Sequence, residues 1–526
     1  MDYQKTAITN SIENFEMTVN DAFVSKAIAL TPKLIETTVR PVRAVDIFPR
    51  GEDFAAEEAA SGFPASQPMG RDESVCLDFG GHQVGYVSFT LSPVGSPADA
   101  PVYLRLKFAE IPYEIAADSA GYHGEISRAW IQEEFIHVDA VPTVVELPRR
   151  YAFRYMQLTV LDTSPKYRVV VSDVSCRAVS SADMSAVPPL NVSDPELVQL
   201  DKVSLKTMRD CMQSVFEDGP KRDRRLWLAD LRLQALTNYV TFRNYGLVKR
   251  CLYLFAGLTQ NEGRVGACLF HEPEPQVDDT ALFDYSLFFI SCLYDYYEAA
   301  RDMATLRELF PTARRQIELA LRELDGRGIV TDKDTWWCFL DWGDGLNKQA
   351  GAHAILIYTL KQARTIAGWL GDTARAREYD GLIERLTGAA LEHLWDEEQG
   401  FFVSGASRQI SWASQVWFAL ANVFDREKNA QLLKRLIEVN PGIPMVTPYM
   451  YHYFISALIE NGLKDQALAC MKSYWGGMLR AGADTFWELY DPKDPYASPY
   501  GSRAVNSFCH AWSGTPAYFI RTYFNP

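Results

Sequence analysis

The sequence predicts two parts: an antiparallel β-sandwich over residues 1–185, then an all-α unit over 186–526 built as an (α/α)6 barrel. Three observations carry this. Strand-like alternation of apolar and polar residues runs to about residue 185. The period then changes to the helical 3.6 behind Ser193-Asp194-Pro195. About twelve helical segments follow without the fixed sequence period that a solenoid of repeats would show.

In chain order, the first part contains the runs Ser74-Val-Cys-Leu-Asp-Phe-Gly-Gly, Val84-Gly-Tyr-Val-Ser-Phe-Thr-Leu and Val102-Tyr-Leu-Arg-Leu-Lys-Phe. Val144-Val-Glu-Leu, Tyr155-Met-Gln-Leu-Thr-Val and Arg168-Val-Val-Val come next. Each is rich in β-branched and aromatic residues and bounded by Gly, Pro or Ser, the signature of antiparallel strands. Strands without intervening helices stack as a sandwich. The stretch from Ala178 to Pro189 is rich in turn formers and reads as the linker. Leu197, Leu200, Val203, Leu205 and Met208 open the helical part, with Ser193 or Asp194 as cap before Pro195. The same signal recurs near 229–242, 244–258, 279–301, 303–325, 351–371, 373–396, 408–424, 426–439, 447–462, 464–480 and 503–523. Six pairs of such helices close a barrel whose inner members are apolar all round and whose outer members are amphipathic.

Composition narrows the function. Hydrophobic residues at 48% and charged ones at 23% belong to a folded chain. A net charge of −15 opposes nucleic-acid binding, which runs on clustered Lys and Arg, and disfavours polyanions. No apolar run approaches the ~20 residues of a membrane span. The Met1-Asp-Tyr-Gln-Lys-Thr6 start lacks a secretory signal, so a cytoplasmic protein is expected. Nine scattered cysteines without a Cys-x-x-Cys pair fit reduced thiols. Eight histidines without His-Glu-x-x-His give a zinc hydrolase no support, and no cofactor is expected.

The chemistry concentrates in two islands. Asp218-Gly-Pro-Lys-Arg-Asp223-Arg-Arg-Leu-Trp227-Leu-Ala-Asp230 sets three carboxylates among three arginines, a lysine and an indole, at a turn that leads into a helix. Asp230 can also be read as that helix's N-cap. Far downstream, Asp484-Thr-Phe-Trp487-Glu488-Leu-Tyr490 places a carboxylate among aromatics, followed by Ser507-Phe-Cys-His510-Ala-Trp-Ser-Gly514. Cleaving a glycosidic bond needs two carboxyl groups in opposite protonation states. Asp223 and Glu488 are the pair these islands offer. An acid at Asp223 must hold its proton; burial against Trp227 and the flanking carboxylates favour this, and the arginines oppose it. Trp227, Trp342, Trp412 and Trp487 each lie beside a polar loop and are candidates for a sugar-facing wall, although most of the 12 tryptophans must be packing.

The Asp218–Asp230 run resembles the signature of the family 78 α-L-rhamnosidases, and Trp487-Glu488, His510 and Asp341-Trp342 fall where that family carries a general-base motif, a sugar-contacting His and an Asp-Trp pair. The likeness spans most of the chain and is strongest to the compact two-domain bacterial members. It implies an inverting glycosidase with Asp223 as acid and Glu488 as base. Asp218, Arg222, Trp227, Asp230, Asp341, Trp342 and His510 then hold the sugar. Many members have Glu at the acid position, so Asp223 shortens that arm by one methylene. The substrate implied is a small rhamnose-containing glycoside, and a homodimer fits the compact relatives. Two other readings stand beside this one: a barrel glycosidase for a different terminal sugar, and a glycan-binding relative with a dead site. A polysaccharide lyase is more remote, because it would want basic residues for uronates.

Overall fold

A bend in one long strand sets how the sheet-rich and helical parts of this chain meet. The structure is a computed structural model that describes residues 15–59, 67–124, 126–495 and 497–525. The Met1–Thr6 start lies outside them. Ten strands matter here: β1 Thr18–Val19, β2 Ile35–Val39, β3 Arg43–Arg50, β4 Asp53–Glu58, β5 Ser74–Gly95, β6 Val102–Ala109, β7 Glu133–Val138, β8 Thr143–Glu146, β9 Tyr151–Asp162 and β10 Tyr167–Ser180. Nine of them form a sheet in the order β2-β10-β5-β9-β6-β7, with β3 and β8 also on β5, and β4 on β3. The two runs expected at Ser74 and Val84 are one strand, and its register against β9 shifts between Asp78 and Gln83. Gly80 sits there at φ +76°, a conformation that a side chain would strain. The bulge turns His82 toward the helical part, where its backbone N–H donates to Asp484 at 2.8 Å. Elsewhere alternation holds: Val87, Phe89 and Leu91 of β5, Leu104 and Leu106 of β6, and Met156, Leu158 and Val160 of β9 share one buried cluster. Truncating Phe89 to Ala there would cost about 3–5 kcal/mol.

The helices are α1 Asp21–Ala29, α2 Pro112–Ala116, α3 Pro195–Cys211, α4 Leu228–Val240, α5 Tyr245–Gly257, α6 Phe283–Ala300, α7 Met303–Leu321, α8 Gln349–Trp369, α9 Thr373–His393, α10 Trp412–Leu420, α11 Arg426–Val439, α12 Pro448–Glu460, α13 Lys464–Arg480 and α14 Pro516–Phe519. In space α4 packs on α6, α6 on α8, α8 on α10, α10 on α12, and α14 back on α4. Each also contacts a second helix lying outside this series, as α6 does α7 and α8 does α9. Burial follows position. Every residue of α6 from Phe283 to Leu293 is buried, whereas α9 buries only a stripe at Tyr379, Leu382, Leu386, Ala389 and Ala390.

Two segments depart from the sequence reading. Residues 18–29 do not join the sheet: β1 pairs with Leu258–Thr259, and α1 packs on α5. The helix expected over 503–523 is broken into turns at Arg503–Val505 and Ala511–Ser513, the short α14 and a wide turn at Ile520–Phe524. Gly514 and Pro516 interrupt it, and its backbone is engaged elsewhere: Glu488 N–H donates to Ser507 O at 3.0 Å and His510 N–H to Phe486 O at 2.9 Å. Among the described residues no helix is long and apolar enough to cross a membrane.

Candidate active site

The loops that precede α4, α6, α8 and α12 lie at one end of the helical series and are tied to one another. Asp284 accepts from the N–H groups of Phe339 and Leu340 at 3.1 and 2.9 Å, and Asp341 from those of Val446 and Thr447 at 2.8 and 3.1 Å. The Asp218–Asp230 loop closes on itself. Asp218 N–H donates to Arg225 O at 3.0 Å, while its carboxylate accepts from the N–H groups of Asp223 and Arg225 at 3.2 and 3.1 Å. Glycine is required at 219, because a Cβ there would lie 2.4 Å from Arg222 O. Asp218 thereby fixes where Asp223 points.

One guanidinium joins the two islands. Arg222 reaches Asp223 Oδ1 at 3.2 Å through one nitrogen and Glu488 Oε2 through the other, donates from Nε to Val505 O at 2.9 Å, and lies 4.2 Å from the Tyr500 ring. Glu488 is held on every side: Tyr500 Oη donates to Oε1 at 2.7 Å, Ser507 N–H to Oε2 at 3.2 Å, and Trp512 Nε1 to its backbone carbonyl at 3.0 Å. Its side chain is 6% exposed, against 20% for Asp223, so the two carboxylates share a cation but not an environment.

Behind them lie Asp218, Asp230 and His510. His510 stands 3.9 Å from Asp218 Oδ2 and 3.8 Å from Asp230 Oδ1, both beyond hydrogen-bond reach. Asp230 Oδ1 and His510 Nδ1 are buried and have no hydrogen-bond partner. Asp230 lies in the first turn of α4 rather than at its cap, which is Trp227. Burial, then the charge of Asp223, pushes Asp218 up to about 8; burial, then Asp218, raises Asp230 well above the usual carboxylate range. Burial, then Arg222, pushes His510 down to about 3. Two neutral acids and a neutral imidazole with free polar atoms are suited to hydroxyl groups. An aromatic array adjoins them. Trp227 meets Tyr285 edge-on at 6.0 Å, Phe339 contacts both Trp342 and Trp512, and Trp342 meets Tyr500 edge-on at 6.0 Å.

The structure therefore brings together Asp218, Arg222, Asp223, Asp230, Glu488 and His510, with Trp227 and Trp342 on the adjoining aromatic array. Asp341, Trp412 and Trp487 are differently employed. Asp341 uses both oxygens on the turn before α12, accepting also from Thr447 Oγ1 at 2.7 Å and Trp342 N–H at 2.9 Å. It reaches the site through the backbone of Trp342. Trp412 begins α10 and packs on Phe454, and Trp487 is buried between Phe508 and Tyr490.

Sequence reasoning missed Tyr500 and a buried charge network from the sheet. Lys221 Nζ binds Glu110 Oε2 at 2.9 Å and Glu114 Oε1 at 2.5 Å; Glu110 in turn contacts His82 Nε2 at 3.1 Å and accepts from Phe508 N–H at 2.7 Å. His82 Nδ1 lies 2.8 Å from Asp210. Burial opposes a charge on His82, but Cys509, Asp210 and Glu110 outweigh it and raise the imidazole well above its ordinary range. His82, Asp210 and Cys509 group their ligand atoms within 4.8 Å. Both ring nitrogens of His82 already face carboxylates, which suits a proton rather than a metal. The available signal was a His inside β5 and a Glu directly after β6.

Residues 55–178 match the glycosyl hydrolase family 78 α-rhamnosidase N-terminal domain, and residues 187–524 the bacterial α-L-rhamnosidase six-hairpin glycosidase domain. The chain is similar to a rhamnosidase from Klebsiella oxytoca solved with rhamnose bound: 47% identity, 97% of this chain and 99% of that one covered, TM-score 0.94. Its fold is also shared with a family 78 rhamnosidase of Bacillus sp. GL1, at 22% identity over 95% of this chain and 48% of that one, TM-score 0.74. A Streptomyces avermitilis α-L-rhamnosidase complexed with L-rhamnose matches at 18% identity over 93% and 44%, TM-score 0.65. No curated protein sequence matches significantly.

Proposed function

Because the chain belongs to the family 78 α-L-rhamnosidases and is a glycosidase, we propose that it releases terminal L-rhamnose from small glycosides with inversion, Asp223 acting as general acid and Glu488 as general base. In this reading the part up to residue 185 is a β-sandwich, apart from residues 18–29, which pack on the helices; 186–526 is an (α/α)6 barrel, and the enzyme works in the cytoplasm. The observation that carries it is the shared guanidinium of Arg222, with a buried carboxylate on one side and a partly exposed one on the other. A guanidinium fork spans ~2.3 Å, so it holds the two acids within about 8 Å of each other. That reaches into the ~6.5–9.5 Å window that leaves room for a sugar carbon and a water.

Asp223, ion-paired with Arg222 in the free protein, must take up a proton when substrate binds, and gives it to the glycosidic oxygen as the C–O bond breaks. Glu488 takes a proton from water as that water's oxygen bonds the anomeric carbon from the opposite face, giving β-L-rhamnose and the free alcohol. The partnerless Asp230 Oδ1 and His510 Nδ1 meet sugar hydroxyls, and the array around Trp342 takes the methyl group. Asp218 and Asp341 position these groups.

The test is turnover of an aryl α-L-rhamnoside with a poor leaving group beside other aryl glycosides, with the anomer formed followed by NMR. Asp223→Asn and Glu488→Gln are each expected to lose at least about 1,000-fold in kcat while still binding rhamnose. Wild-type rates in either variant, or α-rhamnose as first product, would end the assignment.

A further inference from the structure

Between the sheet and the helical part lies a cavity of about 550 Å³ whose wall includes Asp223. A proton donor must touch the glycosidic oxygen, so the leaving group belongs on the side that Asp223 exposes. The volume is that of an ordinary ligand site and takes a second ring. Tyr86, Trp130 and Phe270 supply flat apolar surface, and four arginines converge on it: Arg149, Arg150, Arg224 and Arg225.

The ion pairs of these arginines differ. Arg149 is bound to Glu134 at 2.5 Å and Arg150 to both oxygens of Glu217 at 2.8 and 2.7 Å. Among the described residues Arg224 bonds only to carbonyl oxygens, those of Pro220 at 2.8 Å and Arg150 at 2.9 Å. Arg225 lies over the Phe270 ring at 4.5 Å and makes no ion pair with any described residue. Burial, then crowding by Arg150, lowers Arg224 to about 10. Burial opposes the charge of Arg225, and Asp223 and Asp278 act on it from a distance and raise it, but among the described residues no carboxylate is in ion-pair contact with either guanidinium. A ring-stacked guanidinium presents its planar fork to a carboxylate with little entropy left to lose.

Resting on the reaction proposed above, the geometry points to a leaving group that carries a carboxylate, held by Arg225 with Arg224 behind it. The carboxylate could belong to a uronic acid or to a phenolic acid, and the experiment separates these. It compares kcat/KM for two pairs of substrates: α-L-rhamnosyl-glucuronate with α-L-rhamnosyl-glucose, and 4-carboxyphenyl with phenyl α-L-rhamnoside. In low salt the acidic member of at least one pair is expected to be favoured about tenfold, the effect of one well-placed charge-assisted contact. A preference in the sugar pair alone identifies a uronate; one in both pairs identifies the carboxylate itself. The ratio is expected to fall toward one in Arg225→Gln and as salt is added. Ratios within about twofold of one in both wild-type pairs, or a ratio unmoved by Arg225→Gln, would overturn the inference while leaving the reaction standing. Failure to cleave any of the four removes the reaction and this inference together.

Discussion

Lys221→Met tests whether the sheet holds the catalytic loop in place. The ammonium of Lys221 is 2% exposed and its two partners, Glu110 and Glu114, are 1% and 6% exposed. Without it Glu110 keeps two contacts, His82 at 3.1 Å and Phe508 N–H at 2.7 Å; Glu114 keeps only the Glu110 N–H at 2.7 Å. Removing one partner of a buried pair costs about 3–5 kcal/mol, and here the loss falls mainly on Glu114. Even in the native protein burial pushes Glu114 up to about 7, despite the attraction of Lys221. A carboxyl group whose folded value is raised loses stability as pH climbs from its ordinary 4.5 to the folded value, and in the native protein that loss is complete near pH 7. In the variant the folded value is higher still, so its stability goes on falling above pH 7, by about 1.4 kcal/mol per pH unit for one proton. The deficit relative to wild type, read from denaturant midpoints, is expected to be nearly constant from pH 5.5 to 7 and to grow by about 2–3 kcal/mol between pH 7 and 9. Adding Glu114→Gln to the variant is expected to abolish that growth. A deficit below about 1 kcal/mol, or one independent of pH, would refute the account.

Two further outcomes follow from single contacts. Tyr500→Phe removes the 2.7 Å bond to Glu488 Oε1, a bond to a charged group worth about 1.5–3 kcal/mol, so kcat on an aryl rhamnoside should fall ~10–100-fold; an unchanged kcat would remove Tyr500 from the site. His510→Asn should raise KM by ~10-fold or more without altering the shape of the pH profile between pH 5 and 8, because burial and Arg222 hold His510 near 3 and it carries no charge in that range; a displaced limb would contradict this.

The chemistry was legible where residue type itself carries it. Three acids among cations at 218–230, and Glu488 among aromatics, stand out because few structural roles need such neighbours, and the structure joins them through Arg222. Tyr500 was hidden, since a tyrosine in a loop with Pro499 and Gly501 has no pattern that separates a base-holding hydroxyl from packing. His82 was hidden by the periodicity that revealed its strand, since alternation identifies a face and not what the face meets; Glu110 and Glu114 lie past the end of β6, where no period marks them. Asp341 shows the converse. An Asp before a Trp reads as a ligand contact, but its oxygens are already occupied by Val446, Thr447 and Trp342. The broken helix at 503–523 was misread because apolar spacing there serves burial of a turn-rich segment, with Ser507 and His510 bonded to the 486–488 strand-like stretch.

The contacts between the two parts explain why a sheet accompanies a site built on helices. The loop from Glu217 to Arg225 carries both signs of charge into a largely buried region, and it cannot neutralise all of them itself. Arg150 at the start of β9 binds Glu217, and its carbonyl accepts from Arg224; Glu110 and Glu114 at the end of β6 and in α2 bind Lys221. These counter-charges come from the ends of strands β9 and β6, and from the short α2 behind β6, that lie against the helices. Arg222, lying between Lys221 and Asp223, is thereby left to the two carboxylates. Had Lys221 no partners of its own, it would compete for the acids that Arg222 holds, and the distance between them would be set by whichever cation was nearer. The sheet thus helps to fix the spacing of the pair by engaging Lys221, while Arg224 and Arg225 stay on the cavity side of Asp223.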